Sequence, residues 1–469
     1  MGTDLPRSSP AEQAVDPAAV LAFVDAVDAD PAVEVHSLMV LRHGYVVAEG
    51  WWAPHSPERT RLLYSLSKSF TSTALGFALR DGLVGLDDPV VSYFPEFDRE
   101  IIDPRSRSMM LRHVASMTGG HDRDMLDEAL AGDRGEPVRG FLLVPPDEEP
   151  GTVFAYSQPC TYTVATIIQR ASGMRLTEYL RPRLFDPLGI GEVGWQTWPP
   201  GREVGFSGLF ARTEDVAKLG QLYLRGGRWG ETQLLPPGYV AAATTRQIGT
   251  PREENPDWRQ GYGFQFWMSR HGYRGDGAFG QFCVVLPERD AVVAITAGTE
   301  EMQAVLNHLW THLLPGLGTN EPDTSAQPDL DKRLHGLRLP PCVAAPDPPD
   351  WAAWTGEPFP AANGFTSVRL GRGRHGVDVT LAEPANALTV PVGAGDWLVS
   401  EPRDSSGDPV PVAASGGWRD ADTLRVEVVF LESPHRMDVV CTLRDRRAEA
   451  TWRNEPLVYD GLRALHRPR

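Results

Sequence analysis

The sequence has little cysteine, almost no lysine and no long apolar run. Its 469 residues include four scattered cysteines, Cys160, Cys283, Cys342 and Cys441, and no CxxC pair. This usage argues against a disulfide framework or a zinc site, and it favours a reducing compartment, the cytosol. No segment has the apolar length of a membrane helix, and the first 15 residues contain no apolar stretch of signal-peptide length.

Basic residues are outnumbered by acidic ones. The chain has 45 Lys and Arg against 62 Asp and Glu, which gives a formal net charge of -17. A nucleic-acid duplex or an anionic bilayer would repel such a chain, and no block of basic residues offsets the charge. We therefore expect neither nucleic-acid nor membrane partners.

The length predicts more than one domain. Residues 1–16 are expected to form a disordered tail, and residues 317–350, rich in Pro, Asp and Gly, a linker. Between them, residues 17–316 have strand patterns at both ends and helical patterns in the middle, which is typical of an α+β fold on one antiparallel sheet. Residues 351–469 alternate short β-like runs with Gly, Asp and Pro clusters and predict a small, mostly β domain, a barrel or a sandwich.

The periodicity of apolar residues predicts individual elements. Helices are expected over residues 17–27, 65–82, 112–117, 162–171, 176–185, 214–225, 238–245 and 301–314. A hairpin is expected over residues 37–52, and strands over 261–269, 282–286, 291–297, 365–370, 377–381, 387–392, 424–431, 437–444 and 448–453.

One of the three lysines lies in the single SxxK segment of the sequence, Ser65 to Lys68. Residues three apart share one face of a helix, so a helix that begins at Ser65 places the amine beside the hydroxyl, at the positive end of the helix dipole. A lysine becomes a base when burial lowers its pKa, whereas an arginine stays charged. The alternative is a capping serine and a solvated lysine. The apolar neighbours Tyr64 and Phe70 favour burial of Lys68.

The segment YSLSKSFTSTALGFALRDGLVGLDDPV resembles the nucleophile segment of the serine β-lactamase and penicillin-binding-protein-like superfamily. In particular, it resembles class C enzymes, their esterase relatives and the 6-aminohexanoate-dimer hydrolases. Further segments resemble this family in the same order, across roughly residues 20–315: LRHVASMTGG, PGTVFAYS, YLRPRLFDPLGI, TEDVAKLGQLYLRGGRW and GAFGQFCVVLPERDAVVAI. The resemblance implies a β-lactamase/transpeptidase-like antiparallel sheet flanked by helices, and a C-terminal domain like the lipocalin-like domain of some relatives.

The second motif of this family, Tyr-x-Asn, corresponds to the segment from Tyr156 to Gln158. The resemblance implies that Tyr156 shuttles a proton between Ser65, Lys68 and the leaving group. For this role we expect its pKa to fall below 10, through a nearby ammonium. Gln158 stands where the family has asparagine and is expected to contact substrate.

The third motif, usually Lys or His, then Ser or Thr, then Gly, aligns with the segment Gly275-Asp276-Gly277. Arg274 precedes it and is expected to supply the positive charge, with Asp276 and Gly277 as further substrate-binding residues. The backbone N–H groups of Ser65 and Ala278 are expected to form the oxyanion hole. Without a lysine or histidine to hold a drug's carboxylate, true β-lactamase activity is expected to be weak or absent.

The sequence therefore predicts a serine hydrolase that cleaves a small-molecule or peptide ester or amide through an acyl-enzyme on Ser65. No metal or organic cofactor is expected. Either Lys68 or Tyr156 takes the serine proton. Two alternatives remain: a penicillin-binding-protein-type acyltransferase or peptide cyclase, in which an amine replaces water, and a non-catalytic binding protein, with Gln158 and Gly275 as signs of decay.

Overall fold

The computed structural model describes residues 4–319, 321–345, 350–458 and 461–468. Its α-helices are α1 (Pro17–Ala29), α2 (Ser67–Arg80), α3 (Pro104–Ser108), α4 (Leu111–Ala115), α5 (Leu126–Gly132), α6 (Pro137–Leu143), α7 (Gln158–Ser172), α8 (Leu176–Leu180), α9 (Asp186–Leu188), α10 (Thr213–Leu224), α11 (Pro237–Ala243), α12 (Met302–His308), α13 (Gln327–His335) and α14 (Trp351–Thr355). Tighter 3₁₀ turns lie at Ala11–Gln13, Tyr64–Leu66, Val90–Tyr93, Pro95–Phe97, Trp258–Gln260, Pro287–Arg289, Leu314–Gly316, Thr324–Ala326 and Leu462–Leu465. Wider π-helical turns lie at Arg181–Phe185 and Leu309–Leu313.

The strands fall into two groups along the chain. The N-terminal region contains β1 (Val35–Arg42), β2 (Tyr45–Trp51), β3 (Arg61–Leu62), β4 (Gly194–Trp195), β5 (Leu209–Ala211), β6 (Arg228–Trp229), β7 (Thr232–Gln233), β8 (Trp267–Met268), β9 (Tyr273–Gly277), β10 (Gln281–Leu286) and β11 (Ala291–Ala297). The C-terminal region contains β12 (Phe359–Pro360), β13 (Ser367–Gly373), β14 (Gly376–Ala382), β15 (Ala387–Pro391), β16 (Leu398–Ser400), β17 (Val412–Trp418), β18 (Thr423–Phe430), β19 (Arg436–Thr442) and β20 (Arg447–Trp452).

A six-stranded antiparallel sheet of order β2-β1-β11-β10-β9-β8 organises the described part of the N-terminal region. Strand β1 pairs with β11, so that Met39 lies opposite Ala294 and the two ends of the region meet in one sheet. Successive side chains point to opposite faces. Leu38 therefore packs towards α1 and α12, while Met39 packs towards α2, α7 and α10. The α+β fold with helices on the two faces of an antiparallel sheet is confirmed.

Local sequence signals explain several element ends. The Asp16 carboxylate accepts a hydrogen bond from the Ala18 N–H at 2.9 Å, and Pro17 opens α1 with a φ angle that suits a helix. Helix α2 ends before Gly82, which has φ +68 and stops the helix as a C-terminal glycine does. The turn of the predicted hairpin lies at His43 and Gly44, both with positive φ.

Four segments show most clearly where the structure departs from the sequence-based predictions. Residues 4–16 are not a loose tail, because the Ser8 N–H donates to Val46 O at 3.0 Å and Leu5 is buried. The predicted linker contains α13, whose Leu330 enters the core. The predicted strand over 261–269 is reduced to β8, since the backbone turns at Gln265 with φ +62. Strand β17 was missed because its sequence, VAASGGW, is mostly small residues.

The C-terminal region consists of two consecutive antiparallel meanders, β12 to β15 and β16 to β20. Both meanders contribute to one apolar core, which includes Val379 and Val426. The Gly393 N–H donates to Ala414 O at 3.1 Å, which joins the end of the first meander to β17 in the second. The mostly β character predicted for this region is confirmed.

The turn between β18 and β19 docks on the N-terminal region. The Leu62 N–H donates to Glu432 O at 2.8 Å, and the buried Arg61 guanidinium donates to Ser433 O at 3.0 Å. Arg436 forms an ion pair with Glu34 at 2.8 Å. Because β3 runs directly into the SxxK segment, this docking brings the C-terminal region close to Ser65.

The four cysteines are buried and unpaired. In the part of the chain that is described, no helix is both long enough and apolar enough to pass through a bilayer.

Candidate active site

Ser65 lies in a 3₁₀ turn at the start of α2. The turn spans Tyr64–Leu66, and the α-helix begins at Ser67, two residues later than predicted. The delay has a backbone cause, because Tyr64 has φ +48 and the chain therefore enters the helix through a tight turn. Ser65 still stands at the positive end of the helix, where amide groups lack helical acceptors.

Lys68 is buried and its amine contacts Ser65. Its side chain is 1% exposed, and Nζ lies 2.9 Å from Ser65 Oγ. The same nitrogen donates to Gln158 Oε1 at 2.7 Å and to Phe206 O at 2.8 Å. Burial lowers the pKa of Lys68 to about 7, against the opposing effect of the Asp124 and Asp276 carboxylates.

These contacts have a consequence for the proton on Ser65. Two of the three partners of Lys68 are carbonyl oxygens, which only accept hydrogen bonds. A neutral amine has two N–H groups and one lone pair. If both N–H groups point at the carbonyls, the lone pair faces the Ser65 hydroxyl.

Tyr156 stands beside this pair in an aromatic setting. Its ring stacks on Trp267 at a centroid distance of 5.4 Å and meets Tyr262 edge-on at 6.2 Å. Lys68 Nζ lies over the ring, 4.7 Å from its centroid. Burial, aided by the Asp276 carboxylate, raises the pKa of Tyr156, and a hydrogen bond with Ser65 offsets only part of the rise.

The expectation of a lowered Tyr156 pKa is therefore wrong. The aromatic surroundings disfavour a phenolate, and the lysine nitrogen lies over the ring face. With a pKa near 7, Lys68 is protonated only part of the time at neutral pH, so it provides little positive charge to lower the pKa of Tyr156.

Gln158 begins α7 and orients the lysine. Its Oε1 accepts from Lys68, and its backbone N–H donates to the Asp124 carboxylate at 2.9 Å. Gln158 also lines the cavity in front of Ser65, so its contact with substrate stays a prediction.

Strand β9 presents two glycines to the Ser65 turn. A Cβ on Gly277 would lie 2.1 Å from Leu63 O and 3.1 Å from the Ser65 nitrogen. A Cβ on Gly275 would lie 2.4 Å from Ser69 Oγ. Only glycine lets the strand approach the turn this closely. Gly275 is thus explained by packing, not by decay of a catalytic motif.

Arg274 and Asp276 alternate with these glycines and form a buried ion pair. Arg274 Nε donates to Asp276 Oδ2 at 2.9 Å, and the guanidinium stacks on Trp258 at 4.2 Å. Arg274 is fully buried and also donates to Ser269 Oγ at 2.6 Å. Its charge is engaged within the protein, so its predicted contact with substrate gains no support from this geometry. Burial raises the pKa of Asp276, and the Arg274 charge opposes that rise.

A cavity of about 810 Å³ opens in front of Ser65. The N-terminal region lines it with Ser65, Gln158, Phe206 and Trp198, among others. The C-terminal region supplies the opposite wall, which includes Asp404, Asp408, Leu457, Val458 and Arg463. A second cavity of about 370 Å³ lies on the Tyr156 side, between the segments around Phe154 and Thr250. Ser65 is thus reached through a space that both regions enclose.

Comparison with known proteins identifies the family. A family model described as Beta-lactamase matches residues 22–314. The chain belongs to the beta-lactamase family. The matched residues include the SxxK segment, Tyr156 and strand β9, so the family resemblance of the sequence is confirmed.

Several relatives within the beta-lactamase family are hydrolases. The 6-aminohexanoate-dimer hydrolase of Paenarthrobacter ureafaciens is 27% identical over 280 residues, which cover 55% of this chain and 71% of that protein. The lovastatin esterase of Penicillium rubens is 26% identical over 208 residues, 39% of this chain but only half of the esterase. The solved structure of SurE with D-Leu has a TM-score of 0.52 at 21% identity and covers 86% of this chain and 95% of that one. The last match extends the fold likeness into the C-terminal region.

Some site groups were absent from the sequence-based prediction. Phe206 contributes a backbone carbonyl, which no side-chain pattern reveals. Asp124 lies in an acidic, polar loop that signals only solvent exposure, yet it caps the start of α7. The C-terminal wall of the cavity comes from residues more than 300 positions away from Ser65, and local spacing carries no information about it.

The glycines of β9 give a test of the site's packing. We expect Gly277→Ala to lower the free energy of unfolding by about 1–3 kcal/mol and to reduce activity strongly, because the added methyl pushes β9 away from the Ser65 turn. Gly371→Ala is the matched control, since a Cβ there meets open space within a strand of the C-terminal region. Urea denaturation and ester hydrolysis measure the two effects. Equal behaviour of the two variants would contradict the close approach.

Proposed function

We propose that this chain is a serine hydrolase that cleaves an ester or an amide through an acyl-enzyme on Ser65. The observation that carries the proposal is the buried amine of Lys68, 2.9 Å from Ser65 Oγ and held there by two carbonyl oxygens. Burying a lysine costs free energy, which argues that Lys68 has a role in the site. The Lys68 pKa of about 7 suits a base at neutral pH.

In the first step the neutral Lys68 amine takes the Ser65 proton as Oγ attacks the substrate carbonyl. The choice between Lys68 and Tyr156, open from sequence alone, favours Lys68, because burial raises the pKa of Tyr156 and keeps it a neutral phenol. The N–H groups of Ser65 and Ala278 receive the developing oxyanion. Such donors supply several kcal/mol of barrier lowering, roughly 3–4 each in measured cases.

In the second step the leaving group departs with a proton. Tyr156 lies beside Lys68, whose nitrogen is 4.7 Å from the centroid of the tyrosine ring. It passes its phenol proton to the leaving alcohol or amine while it takes up the one held by Lys68. Water then attacks the acyl-enzyme by the same route in reverse, and Ser65 regains its proton.

The cavity walls indicate the class of acyl group. Trp198, Phe206 and the exposed Leu457 supply apolar surface, while Asp124, Asp404 and Asp408 supply negative charge. In the third motif, the Arg274 guanidinium forms an ion pair with Asp276 and is not free to bind a substrate carboxylate. A substrate with an uncharged or cationic acyl group therefore fits better than one with a carboxylate. We expect slow β-lactam turnover for this reason.

An acyltransferase on the same site is the second candidate. It is favoured by the second cavity, which Tyr156 lines and which has room for an amine acceptor beside the site. An amine entering there would replace water as the acceptor. The binding-protein alternative is disfavoured by the joint presence of Ser65, Lys68 and Tyr156 in contact.

The nucleophile is tested by substitution. We expect Ser65→Ala to abolish hydrolysis of p-nitrophenyl esters, with no loss in thermal stability, because only the attacking oxygen is removed. A fluorophosphonate should add its mass to Ser65 in the parent protein and to no residue in the variant. Ser67→Ala is the control for loss of a neighbouring serine hydroxyl. Full activity or labelling in Ser65→Ala would reject the mechanism.

A second measurement separates hydrolase from transferase. If an amine added to the parent enzyme appears in the product, joined to the acyl group, the acyltransferase is selected.

The pH profile tests the base. Lys68 must be unprotonated to accept the serine proton, so kcat/KM should rise with pH, with a midpoint near 7 and a plateau above 8. Lys68→Arg should be inactive across the range, since a guanidinium keeps its proton. A profile that is flat between pH 6 and 8, or that rises only near pH 10, would contradict the assignment.

A further inference from the structure

Both amides of the proposed oxyanion hole have a strained aromatic neighbour. Tyr64, just before Ser65, has φ +48, and Phe279, just after Ala278, has φ +65. Side chains other than glycine adopt such angles only when their surroundings hold them there. The two rings contact each other at a centroid distance of 5.3 Å. A contact that holds the rings of Tyr64 and Phe279 therefore also holds the direction of the neighbouring Ser65 and Ala278 amides.

His435 of the C-terminal region contacts both rings. It lies edge-on to Phe279 at 5.1 Å and edge-on to Tyr64 at 5.8 Å, and it is fully buried. The Tyr64 hydroxyl lies 2.6 Å from His435 Nε2. One side chain of the C-terminal region thus closes an aromatic cluster, Tyr64, Phe279 and His435, behind the oxyanion hole.

The hydrogen-bond direction in this cluster follows from the imidazole. His435 Nδ1 lies 2.9 Å from Asn454 O, a carbonyl that only accepts, so Nδ1 carries the hydrogen. Burial lowers the pKa of His435 to about 4, so the ring is neutral near pH 7. Nε2 is then an acceptor, and the Tyr64 hydroxyl donates to it. The Asn454 side chain, which donates to Pro434 O at 2.8 Å, further fixes the turn that holds His435.

We propose that His435 is a positioning residue for the oxyanion hole: it holds Tyr64 through the hydroxyl and Phe279 through ring contact, and thereby aims the amides of Ser65 and Ala278. The inference rests on the proposed function of Ser65. It assigns the C-terminal region a part in the chemical step, beyond its contribution to the cavity wall.

Two substitutions and their combination test this role. Tyr64→Phe keeps the ring and removes the hydroxyl, and His435→Phe keeps the bulk and removes the acceptor. For p-nitrophenyl ester hydrolysis, each variant should lower kcat per active site by about tenfold, with KM changed less than twofold, because an oxyanion hole acts on the transition state. The double variant should be no more than twofold slower than the slower single variant, since both remove one interaction.

Active sites are counted from the mass of the fluorophosphonate adduct, so that loss of folded protein does not enter kcat. Tyr179→Phe is the matched control, because it also removes a buried tyrosine hydroxyl, bonded to Asp81 at 2.9 Å, and should leave kcat per site unchanged. If His435→Phe does not fold, Tyr64→Phe alone decides.

A kcat per site within twofold of the parent in Tyr64→Phe, or effects that multiply in the double variant, would overturn the role of His435. Ser65→Ala separates this failure from a wider one. If Ser65→Ala is inactive while Tyr64→Phe keeps its kcat, only the positioning role is lost. If Ser65→Ala stays active, the proposed function fails and the positioning role with it.

Discussion

The contact between the Lys68 amine and the Ser65 hydroxyl is the constraint on which the site depends. An amine that is charged in water loses hydration when buried, and its pKa falls as a result. Two carbonyl oxygens, from Gln158 and Phe206, accept hydrogen bonds from the Lys68 nitrogen and hold it in place. Neither is a carboxylate, so neither carries a negative charge that would stabilise the protonated amine. With both N–H groups of the neutral amine directed at these carbonyls, its lone pair faces the Ser65 hydroxyl.

The rest of the fold keeps this contact in place from several sides. Helix α2 is buried along nearly its whole length, so Lys68 has no route to solvent. The glycines of β9 bring the sheet against the Ser65 turn, and the pairing of β1 with β11 ties that sheet to both ends of the N-terminal region. The C-terminal region completes the enclosure, because its turn around Ser433 binds β3 and its segment around Leu457 faces the cavity.

Much of this fold could be predicted from the sequence, because the decisive signals are local. The three-residue spacing of Ser65 and Lys68, the turn at Gly44 and the glycine after α2 each specify their structure within a few residues. The family resemblance then supplied Tyr156 and the order of the motifs.

What the sequence did not predict depends on distant groups. The Phe206 carbonyl, the aromatic surroundings that raise the pKa of Tyr156, and the Arg274–Asp276 pair all arise from packing between separate elements. The start of α2 at Ser67 depends on the backbone angle of Tyr64, a residue whose hydroxyl contacts His435, far away in the chain.

The most direct measurement of the central claim is the titration of Lys68 itself. Only three lysines occur in the chain, so selective ¹³C labelling of lysine side chains gives few signals, and Lys68→Met identifies the one of interest by its loss. The account predicts that this signal titrates with a midpoint near pH 7. A midpoint near the ordinary lysine value of about 10.4 would contradict it.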